Sequence, residues 1–351
     1  MEGPTVSPAH VPLPRADRPA DTVAPGHPEV VRWRPATVAD VDALWQFTRI
    51  VGKVDHPHHL TTREGIERDF GLSHFDPEQD SLVGFAPDGT LVAMGMVMSP
   101  PRRETLARSI LVGAVHPDYR GRGFGRELLA WQLSRGERQL AGAAPTVPRL
   151  ILAYAEETVD RSARLFRRLG MECSRYFQSL ERRLDEPISE IDLPSDIRVV
   201  RFTPELSGGA HEARDSSFQD HWASQPMSDE AWNSLVTSRK FCPDLSYLAL
   251  AAAPDGTPKV VGFTLATVNE DDWVNQGYTG SHVDLVGVIE GWRGKHIAQA
   301  LLAEHLRAAR AEGLARTTLI VDLESPTGAL NLYRGMGFTP TTRRLAFTVK
   351  L

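Results

Sequence analysis

A chain of 351 residues is long enough for two domains of ordinary size. Its 41% hydrophobic and 24% charged residues are those of a soluble globular protein, and a formal net charge of −6 gives no support for nucleic-acid binding. No apolar run approaches the roughly 20 residues that a membrane-spanning helix needs, so no membrane partner is expected.

The chain opens on a segment, Met1 to Pro28, with seven prolines and almost no large apolar residue. It lacks the apolar stretch of a signal peptide and reads as a disordered or extended tail. Val30 to Arg34 then reads as a short strand. Pro35 to Asp40 leads into a helix with Val41, Leu44, Trp45 and Phe47 on its apolar face. His56, His58 and His59 cluster, but no cysteine or suitably spaced carboxylate completes a metal site, and none is expected. Ser81 to Phe85 and Leu91 to Met98, joined through Asp88-Gly89, read as a hairpin. Ile110 to Val115 is a strand feeding a glycine-rich turn, and Leu150 to Ala155 is a later strand. Asp-Glu-Pro and Leu-Pro-Ser punctuate the chain between Asp185 and Asp196. The scheme then returns, with Tyr247 to Ala253 and Val260 to Val268 as a hairpin through Asp255-Gly256. Val283 to Ile289 and Thr317 to Leu323 are the later strands. The two cysteines, Cys173 and Cys242, form no CxxC motif, so no disulfide framework or zinc site is implied, and a reducing cytoplasm is the expected setting.

Self-similarity sets the architecture. Leu111-Val-Gly-Ala-Val-His-Pro-Asp-Tyr-Arg-Gly-Arg-Gly-Phe-Gly125 matches Leu285-Val-Gly-Val-Ile-Glu-Gly-Trp-Arg-Gly-Lys-His-Ile-Ala298, with Arg120 on Arg293 and Gly125 on Ala298. Each is followed by an apolar helical stretch: Leu128, Leu129, Trp131 and Leu133 in the first half, Ala300, Leu301, Leu302 and Leu306 in the second. Ser162 to Gly170 and Ala329 to Gly337 form a second matched pair in the same order. The expected fold is α/β, with a mixed α+β sheet in each of two tandem domains, 29–186 and 196–351, after a tail over 1–28.

A strand, a glycine-rich turn and a helix make an anion site. The first N–H groups of the helix lack partners, its dipole is positive there, and glycine lets backbone approach a phosphate closely. The turn is not a Walker A loop, since no Gly-Lys-Ser/Thr follows, and it lies too late in each half for a dinucleotide fingerprint.

Arg120-Gly-Arg-Gly-Phe-Gly125 resembles the R/Q-x-x-G-x-G/A motif of the GCN5-related N-acetyltransferase family. Leu332-Tyr333-Arg-Gly-Met-Gly-Phe338 resembles the family's later motif, and two copies per chain resemble its tandem, mycothiol-synthase-like branch. The resemblance covers about residues 30–351. It implies acetyl-CoA as co-substrate, held by Val115, Arg120, Gly121, Arg122, Gly123, Phe124 and Gly125 in the first half. In the second half it implies Val288, Ile289, Arg293, Gly294, Lys295, His296, Ile297, Ala298 and Asn331. It also implies direct acyl transfer to a small-molecule amine, with Tyr333 as general acid and a strand N–H near Val288 or Ile289 for the oxyanion. Asp284 and Glu290 are the candidate bases, with Glu324 a weaker third.

Two departures stand out. His296 replaces the first motif glycine in the second turn, and Phe166, which cannot donate a proton, stands where the second half has Tyr333. Catalysis is therefore expected in the second half, with the first as support or as a second CoA site. His282 shares a strand face with Asp284, His221-Trp222 suggests an acceptor wall, and Arg161, Arg164, Arg167 and Arg168 have helical spacing and could meet the 3′-phosphate of CoA. For each, an ordinary packing or solvated role is the rival. A CoA-binding module without turnover, or a longer acyl or aminoacyl donor, remains open. Mycothiol precursors, antibiotics, amino acids and polyamines are all open as acceptors. A monomer with an internal pseudo-dimer, or a homodimer, is expected.

Overall fold

A computed structural model describes residues 25–30, 32–55, 61–219, 221–252, 256–325 and 327–351. The tail over 1–24, the histidines at 56, 58 and 59, Ala253 and Asp255 lie outside the described residues. The first half runs β1 (Arg32–Arg34), α1 (Val41–Asp55), α2 (Arg63–Phe70), α3 (Pro77–Asp80), β2 (Ser81–Phe85), β3 (Leu91–Met98), β4 (Ala107–Val115), α4 (Phe124–Ala141), β5 (Arg149–Glu156), α5 (Asp160–Arg168) and β6 (Glu172–Arg183). The second runs β7 (Ile197–Arg201), α6 (Ser207–Ser217), α7 (Asp229–Val236), β8 (Tyr247–Ala252), β9 (Pro258–Thr267), α8 (Glu270–Gln276), β10 (Gly280–Val288), α9 (Ile297–Ala311), β11 (Arg316–Asp322), α10 (Ala329–Gly335) and β12 (Thr339–Lys350). The linker punctuated by prolines falls between β6 and β7.

Local chemistry sets several of these bounds. The Thr62 hydroxyl accepts from the Gly65 N–H at 3.1 Å and caps α2. Ser228 caps α7 in the same way through Ala231 at 3.2 Å. Each satisfies an N–H that the first helical turn leaves open. On α4, Leu128, Leu129, Trp131 and Leu133 are buried in one core; on α9, Leu301 and Leu302 face β9 and β10 with Leu306.

Among the described residues, twelve strands join one mixed sheet in the order β1-β2-β3-β4-β5-β12-β6-β11-β10-β9-β8-β7. The repeat alone does not reveal this, because the halves exchange their last strands. β12 lies against β5 from Arg344↔Glu156 to Lys350↔Leu150, and β6 lies against β11 from Arg183↔Arg316 to Phe177↔Asp322. Core residues are exchanged with them. Leu345 and Phe347 belong to the first half's core, while Leu180 and Leu184 belong to the second's.

Each half contains one fork. β4 and β5 pair in parallel from Ala107↔Arg149 to Leu111↔Ala153, and β10 and β11 from Gly280↔Arg316 to Val283↔Leu319. Beyond those pairs the strands part, in front of the N-termini of α4 and α9. A register shift between Val283 and Leu285 sets Asp284 at the second fork.

Candidate active site

The two glycine-rich turns share one backbone. Gly121 and Gly294 have φ of +79° and +78°, and the residues that precede the helices, Gly123 and His296, have φ of +104° and +61°. His296 therefore keeps the left-handed position that glycine holds in the first half, and the first N–H groups of α9 stay directed at the fork. The motif arginines turn backwards. Arg120 Nε donates to the Val115 carbonyl at 3.0 Å, and its guanidinium pairs with Asp55 at 2.7 Å. Arg293 repeats this, through Nε to the Val288 carbonyl at 3.2 Å and a terminal nitrogen to the Ser217 carbonyl, also at 3.2 Å. The arginines hold the turns in shape; what each turn offers a phosphate is backbone N–H. Arg122 pairs with Glu29 at 2.6 Å, and Lys295 sits over the Trp292 ring at 4.3 Å.

The first fork opens into a cleft of about 770 Å³, lined by Val115, Gly121, Gly123, Phe124 and Gly125. Ile110 and Phe166 line it too, as do Arg126, Arg161, Arg164 and Arg168. Three arginines of the α5 run thus line the cleft, although Arg164 pairs with Asp160 and Arg161 lies 3.7 Å from Asp55; the fourth, Arg167, sits over the Phe347 ring instead. Parted strands, free helix N–H groups and a cationic rim fit an elongated polyphosphate thioester such as acetyl-CoA. Also in the lining, Glu156 is bridged to Arg344 at 2.9 Å, and desolvation raises the pKa of Tyr154 and of Asp69.

The second fork adjoins a smaller cleft of about 400 Å³ whose lining includes His282, Asp284 and Thr318. His282 Nδ1 lies 2.9 Å from the Thr318 hydroxyl. Burial, then the Arg344 and Lys240 charges, lower the His282 pKa to about 4, so its ring is neutral at pH 7. His282 and Asp284 share one cleft, as their alternation suggested. Immediately before the matched Leu-Val-Gly runs, the first half carries Ile110 where the second carries Asp284.

Other expected residues fall elsewhere. Tyr333 is 6% exposed, edge-on to Phe338 with ring centres 6.0 Å apart, and lines neither cleft; burial alone raises its pKa, which keeps the hydroxyl protonated. Glu290 and Asn331 are exposed and also line neither cleft. Glu324 pairs with Arg175 at 2.5 Å. The Ile289 N–H donates to the Val261 carbonyl at 3.0 Å, so the ladder occupies it and it is not an oxyanion donor. His221 and Trp222 lie in a turn after α6 rather than in a helix, and Trp222 packs on Phe177 of β6. Sequence reasoning missed Lys240, Asp272 and Arg68, which line the second cleft from three separate segments. No local motif marks them, because Arg68 of α2, Lys240 after α7 and Asp272 of α8 meet only in the folded chain.

A sequence model described as the acetyltransferase (GNAT) family matches residues 42–171 and 209–338. The chain belongs to the GNAT acetyltransferase family. It is an N-acetyltransferase with two GNAT domains in tandem, and acetyl-CoA is its co-substrate. Both matches stop just before the exchanged strands β6 and β12. The mycothiol acetyltransferase of Thermobispora bispora is 31% identical over 229 residues, which is 65% of this chain and 72% of that protein. The mycothiol acetyltransferase of Frankia alni is 29% identical, over 73% of this chain and 77% of that one. Among solved structures, a GCN5-related N-acetyltransferase from Sphaerobacter thermophilus superposes with a TM-score of 0.68 at 25% identity, covering 91% of this chain and 95% of that one. A tandem GNAT protein from the clavulanic acid biosynthesis pathway shares the fold, with a TM-score of 0.64 at 14% identity over 91% and 98%. Among the described residues no helix is long and apolar enough to cross a membrane, and no group of three or more acidic, histidine or cysteine residues forms a metal site.

Proposed function

We propose that the second GNAT domain transfers the acetyl group of acetyl-CoA directly to the primary amine of a small polar molecule. The first domain holds CoA without turnover. One observation carries this reading. At two matched positions the second half has ionisable groups, Asp284 and Tyr333, where the first has Ile110 and Phe166. The relatives named mycothiol acetyltransferase support an acceptor of small-molecule size.

Asp284, directly or through a water, removes the ammonium proton, and the freed amine attacks the thioester carbonyl. The new C–N bond forms as the C–S bond breaks, and the departing thiolate takes the proton of Tyr333, which lines neither cleft and meets the sulfur only where the bound thioester reaches past the fork towards α10. The polar cleft orients the amine, and the α9 turn fixes the phosphates, so both reactants are positioned before reaction. Both forks lie in one continuous sheet of one chain, and we take a cytoplasmic monomer as the working unit.

The test is CoA thiol release across a panel of small amines by wild type, Tyr333→Phe and Tyr154→Phe. The reading expects Tyr333→Phe to lower kcat by about 10²-fold or more with little change in acetyl-CoA affinity. A second reading puts transfer in the first half, favoured by the larger cleft there and by Tyr154 in its lining, whose pKa desolvation raises. Loss of turnover in Tyr154→Phe with Tyr333→Phe unaffected would establish that reading instead.

A further inference from the structure

The second cleft is not built from its own half alone. α2 of the first half forms part of its wall and brings Arg68 to the lining. That helix is tied to the second half at both ends: Arg239 reaches Glu64 at 3.1 Å, and Glu230 accepts from the Ser73 N–H at 2.8 Å and the Ser73 hydroxyl at 2.6 Å. Two successive residues of α2 serve different clefts, with Asp69 lining the first and Arg68 the second. Arg68 is exposed, and its guanidinium forms no ion pair with a described carboxylate; at longer range its charge acts on adjacent Asp69 and on Lys240.

The charges in the second cleft are divided by element. Asp284 stands on the strand floor at the fork, and Asp272 on α8. Lys240, just beyond α7, is partly desolvated and sits in the field of both carboxylates. The cleft thus sets two carboxylates beside two cations, and Arg68 is the cation on the helical wall that forms no ion pair with a described residue. An arginine at the end of a helix is often only solvated and favourable to the dipole. Here it lines the same cavity as the proposed base.

We propose that Arg68 is a specificity-determining residue contributed by the first half, and that the acceptor is an amine bearing a carboxylate or phosphate, with the amine at Asp284 and the anion at Arg68. This rests on the assignment of transfer to the second half. Arginine suits the task because its planar fork meets either oxyanion through two parallel hydrogen bonds.

The experiment measures calorimetric binding of matched amines to the full chain with CoA present, and CoA release from acetyl-CoA with the same amines. The pairs are 4-aminobutanoate against 4-aminobutanamide, and glucosamine 6-phosphate against glucosamine. The wild type is expected to bind at least one anionic member about tenfold or more tighter than its neutral partner. Arg68→Gln is expected to bring that ratio close to one, and Arg68→Lys to restore part of it. Which pair shows the preference tells carboxylate from phosphate. Equal binding within both pairs, no binding of either anionic amine, or a preference that survives Arg68→Gln overturns the inference. An Arg68-dependent preference without CoA release leaves the charge selectivity standing and overturns the transfer reading beneath it.

Discussion

The first half's turn places glycine at both left-handed positions, Gly121 and Gly123, while the second places His296 at the later one, and the backbone barely differs. Around these matched turns the side chains diverge. The first fork is broad, rimmed by arginines and lined by Ile110 and Phe166. The second leads to a small polar cleft with Asp284, and Tyr333 stands in place of Phe166. The anion site is a property of backbone conformation and helix N–H groups, so it survives changes of side chain. Proton transfer belongs to single side chains and is lost with one substitution. A duplicated fold can therefore keep binding in both copies and chemistry in one.

The comparison breaks first at the exchanged strands. Phe347 belongs by sequence to the second half, yet it is 0% exposed within the first half's core, with its ring centre 5.2 Å from that of Phe166. Phe347→Ala is expected to cost about 3–5 kcal/mol, the usual range for deleting a buried aromatic ring. Hydrogen exchange should locate the damage in α4 and β5 rather than in α9 and β10. Faster exchange confined to the second half would show that the halves are energetically separate despite their shared strands.

That exchange was not legible in the sequence, and the reason is physical. β6 and β12 present ordinary strand patterns, and nothing in a strand's own residues says which chain segment its N–H and C=O groups will meet. The turns were legible because a left-handed backbone at Gly121 and Gly123 demands glycine, and because the motif recurs beside a second matched pair. The hairpins and the strands feeding the turns followed from alternation and turn residues. The second cleft was legible only in part. His282 and Asp284 alternate on one strand, but Arg68, Lys240 and Asp272 lie far apart in the chain. The exposed Glu290 and the occupied Ile289 N–H mark where reasoning along the chain could not see burial or the sheet ladder.

Acid sharpens the contrast next. His305 of α9 matches Gln132 of α4 when the helices are aligned on their turns, and both are buried polar residues. Gln132 donates to the Met96 and Val112 carbonyls at 3.0 and 2.8 Å. His305 lies 2.8 Å from the Leu245 carbonyl and 3.2 Å from the Thr317 hydroxyl. Burial is the main cause that lowers the His305 pKa, to about 4. A depressed histidine contributes stability that is complete above about pH 6.5 and lost as pH falls towards 4, because the unfolded chain takes the proton first. The displacement corresponds to about 3 kcal/mol at the acid end. His305→Gln, which borrows the first half's residue, should flatten the acid limb of a urea-denaturation series between pH 7 and 4. An unchanged limb would transfer the acid sensitivity to other groups, His282 among them.

The smallest effect is expected from exchanging the residues that precede the two helices. His296 has φ +61° and ψ +13°, inside the left-handed region that side chains reach at modest strain, and its ring Nδ1 lies 3.3 Å from the Gln299 amide. His296→Gly removes that strain but adds chain entropy to the unfolded state, and the two terms oppose each other. The net change should stay within about 1 kcal/mol. Gly123 has φ +104°, beyond that region, and a Cβ there would point towards His27 at 3.8 Å. Gly123→His should therefore cost about 1–2 kcal/mol and loosen the first turn's hold on CoA. Chemical denaturation and calorimetric titration with CoA read both changes. If Gly123→His were as mild as its reciprocal, the first turn would tolerate a side chain as freely as the second, and the glycine there would not be required by the backbone.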